Sequence, residues 1–309
     1  PAGLKPRVGV ALVNFNSAAS TLRCLGSLAA CGYGPLSTLV IDNASSPADR
    51  AVLEKGMAGR FEAALLRLDE NRGYAGANNL AFERLFTAGC DHVLVLNPDT
   101  LVTPGAIAAM VEAASSADGC GPVGPRLTRD WPGARTASLG ERYWAPLLWM
   151  PRSLLRHRRR RYYNYPVGGV LGCAMLVSRA LYHRLGGFDE AYHSYYEEVD
   201  YCLRGRRAGM MPRVAPEAEI AHGGHRGFGG GATQVAAYLK ARNLWRLGRR
   251  RLDAPSMALF AGGYAAMITV SLFAYLLRGR LGVARAMARG AAAGLRGESG
   301  PPPAWVFEQ

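Results

Sequence analysis

Four strand-like runs, Val8–Val13, Ser37–Ile41, Ala63–Leu68 and His92–Leu96, recur through the first hundred residues with helix-spaced segments between them. The first and last are apolar at consecutive positions rather than alternate ones. Strands of that kind are buried on both faces, which requires helices above and below the sheet. The segments Ser20–Ala30, Ala51–Phe61, Gly76–Ala88 and Pro104–Ser115 supply helical spacing after each strand in turn. The alternation predicts an α/β fold, a mostly parallel sheet flanked by helices and joined by right-handed crossovers. Sheets of this type bind ligands off the carboxyl ends of their strands.

The residues at those ends are therefore the ones to read for chemistry. Asn14-Phe-Asn-Ser17 follows the first strand, Asp42-Asn-Ala-Ser-Ser46 the second, Asn71-Arg-Gly-Tyr74 the third and Asn97-Pro-Asp99 the fourth. Turn chemistry alone would place Asn, Asp, Ser and Gly at any one of them. Four in succession on one rim, the last with a carboxylate just past a buried strand, point to a nucleotide site. Asp99 and His222 are the metal-ligand candidates, because a divalent cation held beside a nucleoside diphosphate would offset the charge of the leaving phosphates. His222, in Ile220-Ala-His-Gly-Gly-His225, reads equally as a loop histidine bonded to backbone.

Further along, Gly168–Val177 restores a strand, Ser178–Leu185 a short helix and Gly186–Glu190 a turn. Tyr195–Arg207 then opens on acids and closes on arginines, a charge order that complements a helix dipole. Dipole compensation accounts for one or two of Glu197, Glu198 and Asp200. Three suggest a general base whose pKa is raised by its neighbours and by burial.

The ordered set Val13–Ser17, Asp42–Ser46, Asn71–Asn79, Asn97–Asp99, Gly187–Glu190, Tyr196–Tyr201 and His222–His225 closely resembles the family 2 inverting glycosyltransferases, in particular their bacterial rhamnosyltransferase-like branch, over about residues 7 to 245. The resemblance implies a GT-A fold and transfer of a sugar from a nucleotide-diphosphate donor, dTDP- or UDP-linked, with L-rhamnose from dTDP-rhamnose the best match. Galactofuranosyl, glucosyl and N-acetylglucosaminyl donors are the alternatives. By the same resemblance Asn14, Asn16, Asp42, Ser45, Asn71, Arg72, Gly73 and Asn97 would line the donor. Asp99 and His222 would hold Mg2+ or Mn2+, Glu198 would be the base with Glu197 and Asp200 beside it, and Gly172, Asp189 and Glu190 would lie on the acceptor side. Two positions depart from the family pattern. Asn97 stands for the first acid of Asp-x-Asp, as is common in this branch, and Glu198 stands for the more usual Asp, one methylene shorter.

Charge separates the chain into regions. The net charge is +14, and of 37 basic residues only Lys5, Lys55 and Lys240 are lysines. Residues 152–161 hold six arginines and no acid, and residues 240–296 hold eleven basic residues against Asp253 alone. The remainder carries a small net negative charge, so the excess belongs to two segments rather than to the catalytic region. Residues 126–166 read as an irregular basic and aromatic insertion in a catalytic domain of residues 1–245. Residues 246–309 read as a helical extension. Within the extension Ala254–Leu277 is uncharged, and Arg278, Arg285, Arg289 and Arg296 are spaced to share one face of a following helix. An apolar helix flanked by arginines suits an anionic membrane interface; packing on the catalytic domain or in a homodimer is the alternative.

Composition removes other classes. A 49% hydrophobic chain of 309 residues can bury a large core, which excludes disorder and collagen-like repeats. Six cysteines without a Cys-x-x-Cys pair, and no charged-then-apolar leader, predict a reducing, cytoplasmic protein on the inner face of the membrane. A nucleotidyltransferase would carry a glycine-rich loop after the first strand, and Asn14–Ser17 has no glycine. A nucleic-acid-binding protein would interleave basic and aromatic residues across its folded domain, and here they segregate. A catalytically silent sugar-nucleotide-binding relative is distinguished by donor hydrolysis.

Overall fold

The computed structural model describes residues 5–116, 119–129, 136–138, 165–166, 168–223 and 233–307. One sheet runs through the molecule in the order β3-β2-β1-β4-β9-β6-β10-β5. β1 (Val8–Asn14), β2 (Leu36–Asp42), β3 (Ala63–Arg67) and β4 (His92–Leu96) pair parallel, as the apolar runs require. Beyond β4 the sheet is mixed. β9 (Ala174–Ser178) lies antiparallel between β4 and β6 (Cys120–Arg129), β10 (Met211–His222) is parallel to β6, and β5 (Thr100–Val102) closes the edge antiparallel to β10. Two short strands, β7 (Thr136–Ser138) and β8 (Tyr165–Pro166), pair with β6 and β10 off this path. The strand read over Gly168–Val177 is thus shorter, and Gly168–Cys173 approaches it as irregular chain.

Alternation along β1 divides the core. Val8, Val10 and Leu12 face α1 (Ala18–Ala29), α2 (Pro47–Met57) and α4 (Ala106–Ser115), whereas Ala11 and Val13 face α3 (Gly73–Thr87), α5 (Arg179–Leu185) and α6 (Glu197–Arg207). Leu12, Leu94, Leu96 and Ile41 are fully buried, each contributing about 1.5–3 kcal/mol by removal from water. α2 starts where Ser46 accepts from Asp49 N and Pro47 fills the first turn.

The expected boundary at residue 245 falls inside α7 (Gln234–Arg251), an unbroken helix begun by Thr233, whose side chain accepts from Ala236 N. Residues 126–129 of the expected insertion belong to β6; its basic run at 152–161 lies outside the described residues, as does His225. The arginine face expected from 278 to 296 is also interrupted. Arg278 caps α8 (Ala254–Leu277), Gly279 turns at φ 67°, and only Arg285, Arg289 and Arg296 share α9 (Leu281–Arg296). The small face of α9 is not presented to a bilayer. A Cβ on Gly290 would lie 2.8 Å from the Tyr238 carbonyl carbon and one on Gly294 2.9 Å from Arg242 O, so glycine is what lets α9 close on α7.

Candidate active site

The rim at the ends of β1, β2 and β3 is a web of side chains bonded to one another. Asn14, fully buried, donates through Nδ2 to Asp42 Oδ1, Ser45 Oγ and Asp49 Oδ2, each at 3.0 Å, and accepts from Thr21 Oγ1 at 2.7 Å. Asp42, also fully buried, spends its other oxygen on Arg50 Nε at 3.0 Å. Asn16, exposed at φ 50°, donates its backbone N–H to Ser45 Oγ and accepts from Ser46 N. Asn43 ties β2 to the loop after β3, donating to Asn71 Oδ1 at 2.9 Å and accepting from Arg72 N at 2.9 Å. The result is a preformed rim in which Asn14 and Asp42 face each other and Asn16 and Arg72 are left exposed.

Gly73 starts α3 at φ 69°, and a Cβ there would stand 2.5 Å from His193 Nδ1. The absence of a side chain at Gly73 lets the segment before α6 pack against the loop after β3. Glu190 is held by Asn79 Nδ2 at 3.0 Å and approached by Arg72 at 3.7 Å. Asn79 also bonds Phe188 N and Phe188 O, and a Cβ on Gly187 would lie 2.7 Å from its Cγ. Asp189 caps the 3-10 turn at Ala191 N and lies 3.5 Å from Arg246 and 3.6 Å from Arg250. Asp189 and Glu190 therefore anchor this loop to α7 and α3.

At the end of β4, Asp99 Oδ1 lies 3.3 Å from His222 Nε2 at the end of β10. Burial works to raise the Asp99 carboxyl, but the His222 hydrogen bond and charge outweigh it and hold it below the usual carboxylate range. Burial works against the charged imidazole too, yet hydrogen bonds to Asp99 and Cys173 push His222 up to about 10. Among the described residues no third His, Cys, Asp or Glu completes a ligand cluster. One carboxylate oxygen just before β5 and one imidazole at the paired end of β10 fit a cation that displaces the imidazole proton and takes its other ligands from phosphate and water, the habit of Mg2+ and Mn2+.

The acids of α6 part company. Asp200, fully buried, accepts from Arg204 Nε at 2.9 Å, Arg251 Nε at 2.6 Å and Tyr192 OH at 3.2 Å, so its carboxylate is enclosed by structural partners and is not brought to the site. Glu197 is buried and its carboxyl is raised well above the usual range, first by desolvation and then by the charge of Glu198. Glu198 is half-buried and packs on Gly172, where a Cβ would sit 3.2 Å from its own Cβ. Tyr74 OH donates to Gly172 O at 2.6 Å from the same side. The adjoining Cys173 accepts from Asn97 N at 2.9 Å through its carbonyl and bonds His222 through its thiol. Gly172 thus contacts Glu198 while the next residue, Cys173, bonds His222, so one turn links the Asp99–His222 pair to Glu198.

Sequence reasoning did not single out Asp49, Asn43, Asn79, Arg242 or Asn243. Asn79 lay within a quoted motif, and Asp49 two residues after Pro47 was a visible first-turn acid. Nothing local marks Arg242 and Asn243, whose partners are about 50 residues away.

A family model described as Glycosyl transferase family 2 matches residues 10–186. An N-acetylglucosaminyl-diphospho-decaprenol L-rhamnosyltransferase of Mycobacterium tuberculosis is 31% identical over 259 residues, covering 75% of this chain and 81% of that protein. A low-salt glycan biosynthesis hexosyltransferase of Haloferax volcanii is 29% identical over 44% of each chain. Among solved structures, a mannosyltransferase from Pyrobaculum calidifontis, in complex with GDP-Man and Mn2+, superposes with TM-score 0.58 at 16% identity over 95% of this chain and 88% of that one. That superposition shows the glycosyltransferase fold with its C-terminal helices.

Proposed function

The chain belongs to glycosyl transferase family 2, and from that premise we propose that this glycosyltransferase moves L-rhamnose from dTDP-rhamnose to a hydroxyl of a polyprenyl-diphosphate-linked glycan acceptor, with inversion. The observation that supports the reading is the Gly172-Cys173 turn, where Glu198 packs on Gly172 and the His222 of the Asp99–His222 pair bonds Cys173. In an in-line displacement the base and the leaving diphosphate stand on opposite faces of the anomeric carbon. Glu198 would take the proton of the acceptor hydroxyl, and Glu197 beside it disfavours additional negative charge in the same pocket.

Asp99 and His222 would hold a divalent cation, which when bound supplies positive charge to the departing diphosphate. Asn71 and Arg72 would carry the donor phosphates beside Gly73, since Arg72 is exposed on the loop after β3. Asn14, Asp42 and Ser45 would shape the nucleoside subsite from within their buried web, and Asn16 would reach the ligand from its exposed position.

α8 supports a peripheral seat on an anionic membrane. It is 24 residues long, and Phe260, Tyr264 and Ile268 bury one stripe against α7 while Leu259, Val270, Phe273 and Leu277 are each more than half exposed. Exposed arginines bracket it, Arg249 and Arg250 before and Arg278 and Arg280 after. Such a face would hold the enzyme where a lipid-linked acceptor lies.

The test is a transfer assay with dTDP-rhamnose, Mg2+ or Mn2+ and a polyprenyl-diphosphate N-acetylglucosamine acceptor, read by product mass. A single deoxyhexose addition is expected. Turnover with UDP-linked sugars and none with dTDP-rhamnose would overturn the donor assignment. Flotation with phosphatidylglycerol vesicles is expected to be lost in a Phe273→Ser/Leu277→Ser variant, and undiminished flotation would remove α8 as the seat.

A further inference from the structure

The segment joining the 3-10 turn Glu190–Tyr192 to α6 has a backbone that its residues do not favour. His193, Tyr195 and Tyr196 have φ of 62°, 70° and 74°. None is glycine, and side chains this bulky enter the left-handed region only where their surroundings over-determine it. Tyr196 is also the N-cap of α6 and gives it no side-chain cap. The first turn that follows carries Glu197 and Glu198, so the path of this segment decides where both carboxyls stand.

One buried side chain accounts for most of what holds the path. Asn243, fully buried on α7, donates from Nδ2 to Tyr192 O at 2.8 Å, Ser194 O at 2.8 Å and Tyr195 O at 3.1 Å. Tyr192 ends the 3-10 turn, and Ser194 and Tyr195 lie in a stretch that is neither helix nor strand and so has no ladder of its own to satisfy their carbonyls. Arg242 fixes which way the amide turns, donating from Nε to Asn243 Oδ1 at 3.0 Å, and its other nitrogen reaches Tyr192 O at 3.3 Å and Gly300 O at 2.7 Å. From the opposite side Ala75 N bonds His193 O and Tyr74 N bonds Ser194 Oγ, each at 3.0 Å. The segment is thereby caught between α3, which carries the donor-side loop, and α7, which lies beyond the residues the family model matches.

We propose that Asn243, oriented by Arg242, is a positioning residue for sugar transfer: it holds Tyr192–Tyr196 in its left-handed path and so sets the reach of Glu198 toward the acceptor hydroxyl. The inference rests on Glu198 being the base. It makes α7 part of the catalytic machinery and distinguishes Asn243 from a residue that merely stabilises the fold, because its effect must pass through Glu198.

A double-mutant cycle on the full chain tests this. Asn243→Ala in the wild-type background is expected to lower kcat about 10- to 100-fold, the scale of a misplacement near 1 Å. The donor KM should stay within about threefold, because donor contacts lie on the β1–β4 rim. Amide exchange over residues 192–198 should quicken. In a Glu198→Gln background the same substitution should cost nothing further in residual rate. Asn243→Ser, which keeps one donor, should fall between and serves if the alanine variant does not fold. A wild-type kcat in the folded variant, or an equal loss in both backgrounds, overturns the proposal. Wild-type turnover by Glu198→Gln alone would instead overturn the reading of Glu198 as the base, a distinct failure visible before the cycle is closed.

Discussion

The two halves of the site are built by opposite means. On the β1–β3 rim, polar residues at strand ends bond to polar residues at neighbouring strand ends, and the web around Asn14 lies wholly within β1, α1, the β2 loop and α2. On the α6 side, the acids stand on a strained segment held from outside by α7. A rim built from its own sheet is rigid by topology; a mouth held by a distant helix is rigid only while that helix is docked. The difference also sorts the carboxylates. Asp42, held by Asn14 and Arg50, and Asp200, held by Arg204, Arg251 and the Tyr192 hydroxyl, are frame, whereas Asp99 pairs with His222 and Glu198 packs on Gly172.

Substitutions can break this sorting. The largest expected effect is on stability at Asp200. Asp200→Ala leaves Arg204, Arg251 and the Tyr192 hydroxyl without their shared partner, and breaking a buried ion pair this way costs about 3–5 kcal/mol. Urea unfolding is the measurement, and a loss below about 1 kcal/mol would contradict the placing of Asp200 in the frame. Next comes Asp99→Ala, which should weaken metal-dependent donor binding about 100-fold, the usual scale for metal-site substitutions, and lower the melting temperature in the absence of ligand because His222 loses its ion-pair partner. Isothermal titration of the nucleotide sugar with and without Mn2+ separates the two.

Acid titration probes the strained side. Burial, and then the charge of Arg242, holds the His193 imidazole neutral, with its pKa down at about 4 against the usual 6.5. Between those values the unfolded chain takes up a proton that the folded chain refuses. Folding free energy attributable to His193 should therefore fall as pH drops from about 6.5 toward 4, by roughly 2 kcal/mol after discounting for partial solvent screening. The difference between wild type and His193→Gln isolates this contribution from the other titrating groups, and parallel profiles would contradict it. The smallest effect on stability is expected at Gly172. A Cβ there meets Glu198 at 3.2 Å, so Gly172→Ala should cost under about 1 kcal/mol in folding. It should still cut kcat by about tenfold because the displaced group is the proposed base.

The same contrast explains what could be read before the fold was known. Continuous apolar runs and the polar residues just past them gave the parallel half of the sheet and the rim, because both are local in sequence. The antiparallel insertion of β9 between β4 and β6 is not encoded in any short window. Asp200 was grouped with Glu198 by proximity, although residues two apart on a helix point about 200° away from each other. That signal was available in the spacing alone. The clamp formed by Asn243 was not, since its three acceptors are backbone carbonyls 48 to 51 residues away. Likewise the arginine spacing marks one face of α9, and only the close approach of Gly290 and Gly294 to Tyr238 and Arg242 reveals which face packs.

The central claim is that Glu198, and not Asp200, faces the reacting centre across from Asp99 and His222. It is tested most directly by single-turnover transfer in Glu198→Gln, with donor binding followed by thermal shift in the same preparation. A general base contributes about 10²- to 10⁴-fold, so transfer should fall by that factor while the donor still raises the melting temperature as it does in wild type. Transfer at the wild-type rate with intact donor binding would contradict the account.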